Sequence, residues 1–209
     1  EPGRGQPPPG WTLQGAPAPL LPLVRGAEPG GDLGAAATAV IDLFDHPSRT
    51  DRSARIALGN ALDQIGKLAL ARGDLPTAEA SFTAAIAAAP SMARPHVNRA
   101  VARARRGDVA GAAADTEDAS ALDPGHVTAR INAARFYIQL GDDARARAHI
   151  ERARALAPGR AAPWAITAVL DARAGDFTAA RTHADRALAL DPTDRDAVSA
   201  DTQLRHSGH

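Results

Sequence analysis

At 209 residues and 21.5 kDa the chain holds one ordinary domain or a short repeat array, which excludes a multidomain enzyme with separate cofactor and substrate halves. Hydrophobic residues make up 44%, but 51 alanines carry that figure and aromatics supply 3%, so β-sandwiches and barrels are disfavoured and a core of closely approaching helices is expected. Lys+Arg and Asp+Glu balance at 24 each, so net charge favours neither a nucleic-acid partner nor an acidic tail. With no cysteine there is no disulfide framework, thiolate nucleophile or Cys-based zinc site.

Residues 1–31 carry eight of the 16 prolines and seven of the 18 glycines, a composition that sustains neither helix nor ladder hydrogen bonds. They are expected to form an arm or linker, with Trp11, Leu13, Leu20, Leu21, Leu23 and Val24 as an apolar strip available for docking. The start at Glu1 followed by Pro-rich sequence is read as the trace of a removed leader, anchor or domain, which leaves both a cytoplasmic and an exported protein open. No run of about 18 apolar residues occurs, so no transmembrane segment is expected. Lys67 is the only lysine among 24 basic residues, a bias expected of a GC-rich bacterial genome.

From residue 59 onward the chain repeats. Gly-Asp recurs at Gly73-Asp74, Gly107-Asp108, Gly141-Asp142 and Gly175-Asp176, each 34 residues after the last. The same interval links Pro90, Pro124, Pro158 and Pro192; Ala78, Ala112, Ala146 and Ala180; and Ala85, Ala119, Ala153 and Ala187. Each period reads as two helices. The glycine suits the turn out of the first, the aspartate caps the second, and proline ends it. Alanines seven apart on the second helix share a face where a methyl group lets neighbours approach closely.

The flanks follow the same pattern. Residues 32–58 read as half a period with an insertion: a lone second helix carrying Val40, Leu43 and Phe44, then about eight extra residues that lengthen the turn at Pro47 to Thr50 and extend the next helix back to about Asp51. Residues 195–209 read as a closing helix over 195–205 and a tail that frays from His206.

No GxSxG elbow, Walker-type loop, HExxH or EF-hand loop occurs, and no catalytic residue is expected. His149 and His183 lie one period apart, which predicts neighbouring rows too far apart to share a metal, so neither metal nor cofactor is expected.

With GD, A, A and P at these offsets in a 34-residue period, the chain resembles the tetratricopeptide repeat family over residues 59–192, as repeats at about 59–92, 93–126, 127–160 and 161–194. The aromatic that the family carries in the middle of the first helix is Tyr137 in the third repeat but Ala69, Arg103 and Asp171 in the others, which predicts weaker packing. The early-helix Trp is Trp164 alone, with Leu62, His96 and Arg130 elsewhere. The resemblance implies an all-α fold, a right-handed α-solenoid of stacked helix-turn-helix repeats, in which the first helix of each repeat lines a concave groove.

Carried over repeat by repeat, it implies a groove of Asn60, Asp63, Gln64, Lys67 and Leu70 from the first repeat, and Arg94, Val97, Asn98, Val101 and Arg105 from the second. The third gives Thr128, Ile131, Asn132, Arg135, Ile138 and Gln139, and the fourth Ala162, Ala165, Ile166, Val169 and Arg173. Five of these are cations and one, Asp63, is an anion, which predicts a groove of about +4 in a neutral protein. An extended peptide has unpaired backbone N–H and C=O groups, and an amide side chain serves both, so Asn98 and Asn132 are expected to hold backbone while the valines and isoleucines supply apolar contact.

The function implied is a non-catalytic scaffold or adaptor that binds a protein partner, with no nucleic acid, through an extended and acidic peptide segment. The alternative is a regulatory or targeting module of a larger enzyme or a membrane-anchored assembly factor. The family's carboxylate clamp for chaperone tails is excluded, because Asp63 and Thr128 stand where basic residues are required.

Overall fold

The computed structural model describes residues 52–206, and Ala35 as a helical residue apart from them. The arm, the lone helix with Val40, Leu43 and Phe44, the turn at Pro47 to Thr50 and the last three residues lie outside the described residues. The described residues form helices α1 (Arg52–Arg72), α2 (Leu75–Ala88), α3 (Ala93–Arg105), α4 (Val109–Leu122), α5 (Val127–Leu140), α6 (Asp143–Leu156), α7 (Ala161–Arg173), α8 (Phe177–Leu190) and α9 (Arg195–His206). No strand occurs among them, and the class is an all-α array of helical repeats.

Every period is realised as the same turn. Gly73, Gly107, Gly141 and Gly175 have φ of 79°, 91°, 77° and 84°, a left-handed conformation that a Cβ would strain. The following aspartate caps the second helix. Asp74, Asp108, Asp142 and Asp176 accept hydrogen bonds from the backbone N–H of Thr77, Gly111, Arg145 and Ala179 at 3.2, 2.8, 2.9 and 3.0 Å. The second helices stop at Ala88, Leu122, Leu156 and Leu190, two residues before each proline. The first helix, expected to reach back to about residue 51, is helical from the first described residue of this stretch, Arg52, and spans 21 described residues against 13 or 14 in the later first helices.

The chain divides into two compact units at Arg106 and Gly107. In the first, α1 packs on α2 and α3. Its core takes Leu58, Leu62, Ile65 and Ala69 from α1, at helical spacing, against Ala78, Phe82, Ala85 and Ala88 of α2, with Ala102 of α3. Burial of Leu62, Ile65 and Phe82 contributes roughly 1.5–3 kcal/mol each. Phe82 enters fully because Gly66 leaves room for it.

The second unit runs from α4 to α9, each helix packed on the next, with α9 set against both α7 and α8. Ile131, Ile150 and Leu170 are its large buried aliphatics, and Ala146, Ala153, Ala180 and Ala187 are fully buried at the contact faces. Ala197, Ala200 and Leu204 bury one stripe of α9. His206, expected to fray, is the last residue of α9, its Nδ1 2.7 Å from the carbonyl oxygen of Thr202.

Where the family's first-helix aromatic is missing, Ala69 is a buried apolar residue, while in the second and fourth repeats a charged residue fills the place and finds a partner. Arg103 donates to Glu79 Oε1 at 3.0 Å. Asp171, buried, accepts from Arg147 at 2.9 Å and lies 2.7 Å from His183 Nδ1. At two of the three positions, then, ion pairs between helices stand where an aromatic was expected.

A Cβ on Gly66 would stand 2.5 Å from the Phe82 ring, closer than packed atoms tolerate. Gly66→Ala is expected to destabilise the chain by ~1–3 kcal/mol through overpacking, read as a lower urea midpoint. An unchanged midpoint would show that Phe82 moves freely.

Candidate peptide-binding face

The 34-residue register sorts the first helices into a buried row and an open stripe. Asp63, Val97, Ile131 and Ala165 share one register and all are buried, at 0%, 5%, 2% and 0% exposure. Val97 and Ile131, expected to line the groove, therefore belong to the core; so does Ile166, buried at 3%. The accessible positions lie at i, i+4, i+7 and i+11 in the first three repeats: Asn60, Gln64 and Lys67 on α1; Arg94, Asn98, Val101 and Arg105 on α3; Thr128, Asn132, Arg135 and Gln139 on α5; on α7 the i and i+4 members, Ala162 and Ile166, are buried and Val169 and Arg173 remain accessible. Ile138 is half-buried beside them.

In the first unit these side chains form a network around one buried acid. Asp63 accepts from Arg94 Nε at 2.8 Å and from Asn98 Nδ2 at 2.7 Å, while Arg94 Nη2 donates to Asn60 Oδ1 at 2.8 Å. A carboxylate without water needs such partners, and Asn98 spends one of its two amide protons here. Lys67 donates to Gln64 Oε1 at 3.1 Å, and Arg105 to the Leu70 carbonyl near the end of α1 at 3.1 Å.

In the second unit Arg135 donates to Asn132 Oδ1 at 3.1 Å and also to Asp196 of α9. Arg173 donates through Nε to Asp143 Oδ2 at 2.8 Å. A cleft of about 440 Å³ opens at this end, lined by Ile138, Ala168, Val169, Ala172, Arg173, Ala200, Gln203 and Leu204. Ile138, Val169 and Arg173, three of the residues expected in the groove, line it together with the buried Ala168, Ala200 and Leu204.

The expected surplus of positive charge is smaller than the first helices alone imply. Arg94, Arg135 and Arg173 are each paired with a carboxylate, which leaves Lys67 and Arg105 as the predicted groove cations with no carboxylate partner among the described residues. Sequence reasoning missed Asp143, Asp196 and Gln203. Asp196 and Gln203 were within reach of it: they follow Ala162 and Val169 by 34 residues, so one more step of the period places α9 as a further first helix.

On the other helices, His149 and His183 are structural. His149 stacks on Tyr137 with ring centres 5.7 Å apart and lies 3.0 Å from Glu117, which also accepts from the Tyr137 hydroxyl at 2.8 Å. His183 lies against Trp164 at 5.7 Å, and Arg154 covers the same indole at 5.0 Å. Partial burial pushes the Glu117 carboxyl upward. The hydrogen bonds from Tyr137 and His149 and the nearby charge of His149 and Arg145 outweigh it, holding the group below the ordinary glutamate range. Glu79 is held low in the same way, burial opposing and Arg103 and Arg106 prevailing.

Two tetratricopeptide repeat models match the chain, one over residues 64–126 and one over 103–170, together about half its length. No curated protein matches. Among solved structures the chain is similar to a tetratricopeptide repeat protein from Parabacteroides merdae ATCC 43184, at 18% identity over 88% of this chain and 72% of that one, with a TM-score of 0.69. It is also similar to YrrB, described as a TPR protein with an unusual peptide-binding site, at 16% identity, 81% and 84% coverage and a TM-score of 0.63. MamA matches at 16% identity, 77% and 90% coverage and a TM-score of 0.63. These identities establish the fold. The chain belongs to the tetratricopeptide repeat family, whose fold is in general that of a non-catalytic scaffold for protein interaction.

A carboxyl held lower in the folded than in the unfolded chain contributes stability that is complete above the unfolded value and is lost as pH falls through the folded one. Glu79 and Glu117 are both such groups. The urea midpoint is expected to fall as pH drops below about 4.5, the ordinary glutamate value, and Glu117→Gln to flatten that fall while lowering the midpoint at pH 7. An unaltered acid slope in Glu117→Gln would remove Glu117 from the account.

Proposed function

We propose that the protein is a non-catalytic scaffold that binds an extended, acidic peptide segment of a partner protein on the open stripe that the first helices present within a unit. The observation that carries this reading is the chemistry of that stripe. In the first unit it offers the Asn98 amide and two cations, Lys67 and Arg105, with no carboxylate partner among the described residues; in the second it offers the Asn132 amide and the arginines Arg135 and Arg173, held by part-exposed ion pairs. Asn98 retains one amide proton beyond the one it gives Asp63, and Arg135 donates to the oxygen of Asn132, leaving that amide's two protons for a carbonyl. A peptide backbone meets donors there, and acidic side chains meet guanidinium groups that already favour carboxylates.

The test uses arrayed twelve-residue peptides of graded charge. Acidic members are expected to bind best, with affinity falling as salt rises from 50 to 500 mM. Lys67→Glu and Arg105→Glu are each expected to weaken binding about 5-fold or more, on the scale of the ~1 kcal/mol or so that a charge pair at an exposed interface contributes. Asn98→Ala also strips a partner from buried Asp63 and is expected to cost ~1–3 kcal/mol of stability, so its binding is compared at a temperature where the variant is folded. Equal binding of basic and acidic peptides would overturn the reading.

A further inference from the structure

Two aspartates from outside the first helices of the four repeats sit on the arginines of the second unit's face. Asp196 of α9 accepts from Arg135 of α5, and Asp143, the first residue of α6, accepts from Arg173 of α7. Each contact joins one oxygen to one nitrogen, although a carboxylate and a guanidinium can pair through two. The four side chains keep between 30% and 43% of their surface exposed, and the second oxygen of Asp143 is closed to solvent without any hydrogen-bond partner. Pairs this exposed shift an equilibrium only a few-fold, so an incoming group displaces them at little cost.

The cleft adjoins both arginines. Arg173 lines it, Ile138 lies one turn beyond Arg135 on α5, and α9, which carries Asp196, supplies the wall of Ala200, Gln203 and Leu204. Its 440 Å³ fall within the roughly 300–1,000 Å³ that ligand pockets span, and Ala168, Ala200 and Leu204 make its buried floor. An aliphatic side chain is at home against Ile138, Ala168, Val169, Ala200 and Leu204, with Arg173 and Gln203 supplying the polar part of the lining.

We propose that Asp143 and Asp196 stand in for the carboxylates of the ligand. A partner segment with an acidic residue on either side of a bulky aliphatic one binds by displacing the two aspartates from Arg173 and Arg135 and seating its aliphatic side chain in the cleft. This rests on the peptide-binding reading and specifies the ligand. Asp196 follows Asn60, Arg94, Thr128 and Ala162 at intervals of 34, and unlike the buried Ala162 it keeps 30% of its side chain exposed.

The probes are fluorescein-labelled nonapeptides in which two glutamates flank a central leucine with one or two serines between them. Controls carry glutamine for glutamate or serine for leucine. Binding to the full chain is read by fluorescence anisotropy, and folding of each variant by circular dichroism. Asp143→Asn and Asp196→Asn are expected each to tighten the glutamate probe about 2–5-fold and to leave the glutamine control unchanged. Serine for leucine is expected to weaken binding about 10-fold. A measurement that needs no variant accompanies this: the Nε–H resonances of Arg135 and Arg173 shift on titration with the glutamate probe and stay still with the glutamine one. If glutamate probes bind and Arg135→Glu weakens them, but neither asparagine variant tightens them and neither resonance shifts, the displacement is wrong and the peptide-binding reading stands. If glutamate and glutamine probes bind alike, both fall.

Discussion

The close approach of alanine faces is the constraint on which this structure depends. Ala78, Ala85, Ala112, Ala119, Ala146, Ala153, Ala180 and Ala187 are all at 0% exposure, and any larger side chain there would push the neighbouring helix outward. A methyl group buries little area, so stability is spread over many small contacts with a few large ones between them. The Gly66 and Phe82 pair shows the complementary device, in which a missing Cβ admits a whole ring.

A core so poor in aromatics relies on polar groups to tie helix to helix. Where a tyrosine stands in the third repeat, an arginine in the second and an aspartate in the fourth reach across to Glu79 and to Arg147 with His183. The acid in such a place is costly to bury, so it is found with partners on more than one atom. Asp63 follows the same rule, and its partners Arg94 and Asn98 come from the next first helix. The same side chains thereby both fasten the helices and form the open face.

The electrostatics of the face are set by where acids arrive from. Counting only the first helices gives a strongly basic surface. In the second unit α6 and α9 each deliver an aspartate to an arginine of the first helices; in the first unit Lys67 and Arg105 are the predicted groove cations with no carboxylate partner among the described residues.

The helical class, the turns and the caps were legible in the chain itself because each is local. A left-handed glycine, an aspartate three residues before the N–H it caps, and a proline that stops a helix act within one turn, and a strict interval of 34 repeats them. The same interval carried the face as far as Arg173 and, taken one step further, would have reached Asp196 and Gln203. Only the tertiary structure decided which members of that face are open. Val97, Ile131 and Ile166 lie on the expected helices but are covered, since burial depends on how deeply neighbouring helices pack rather than on helical phase alone. It likewise decided which charges are spent, because Asp143 meets Arg173 across 30 residues and Asp196 meets Arg135 across 61, and no local pattern encodes a contact of that span.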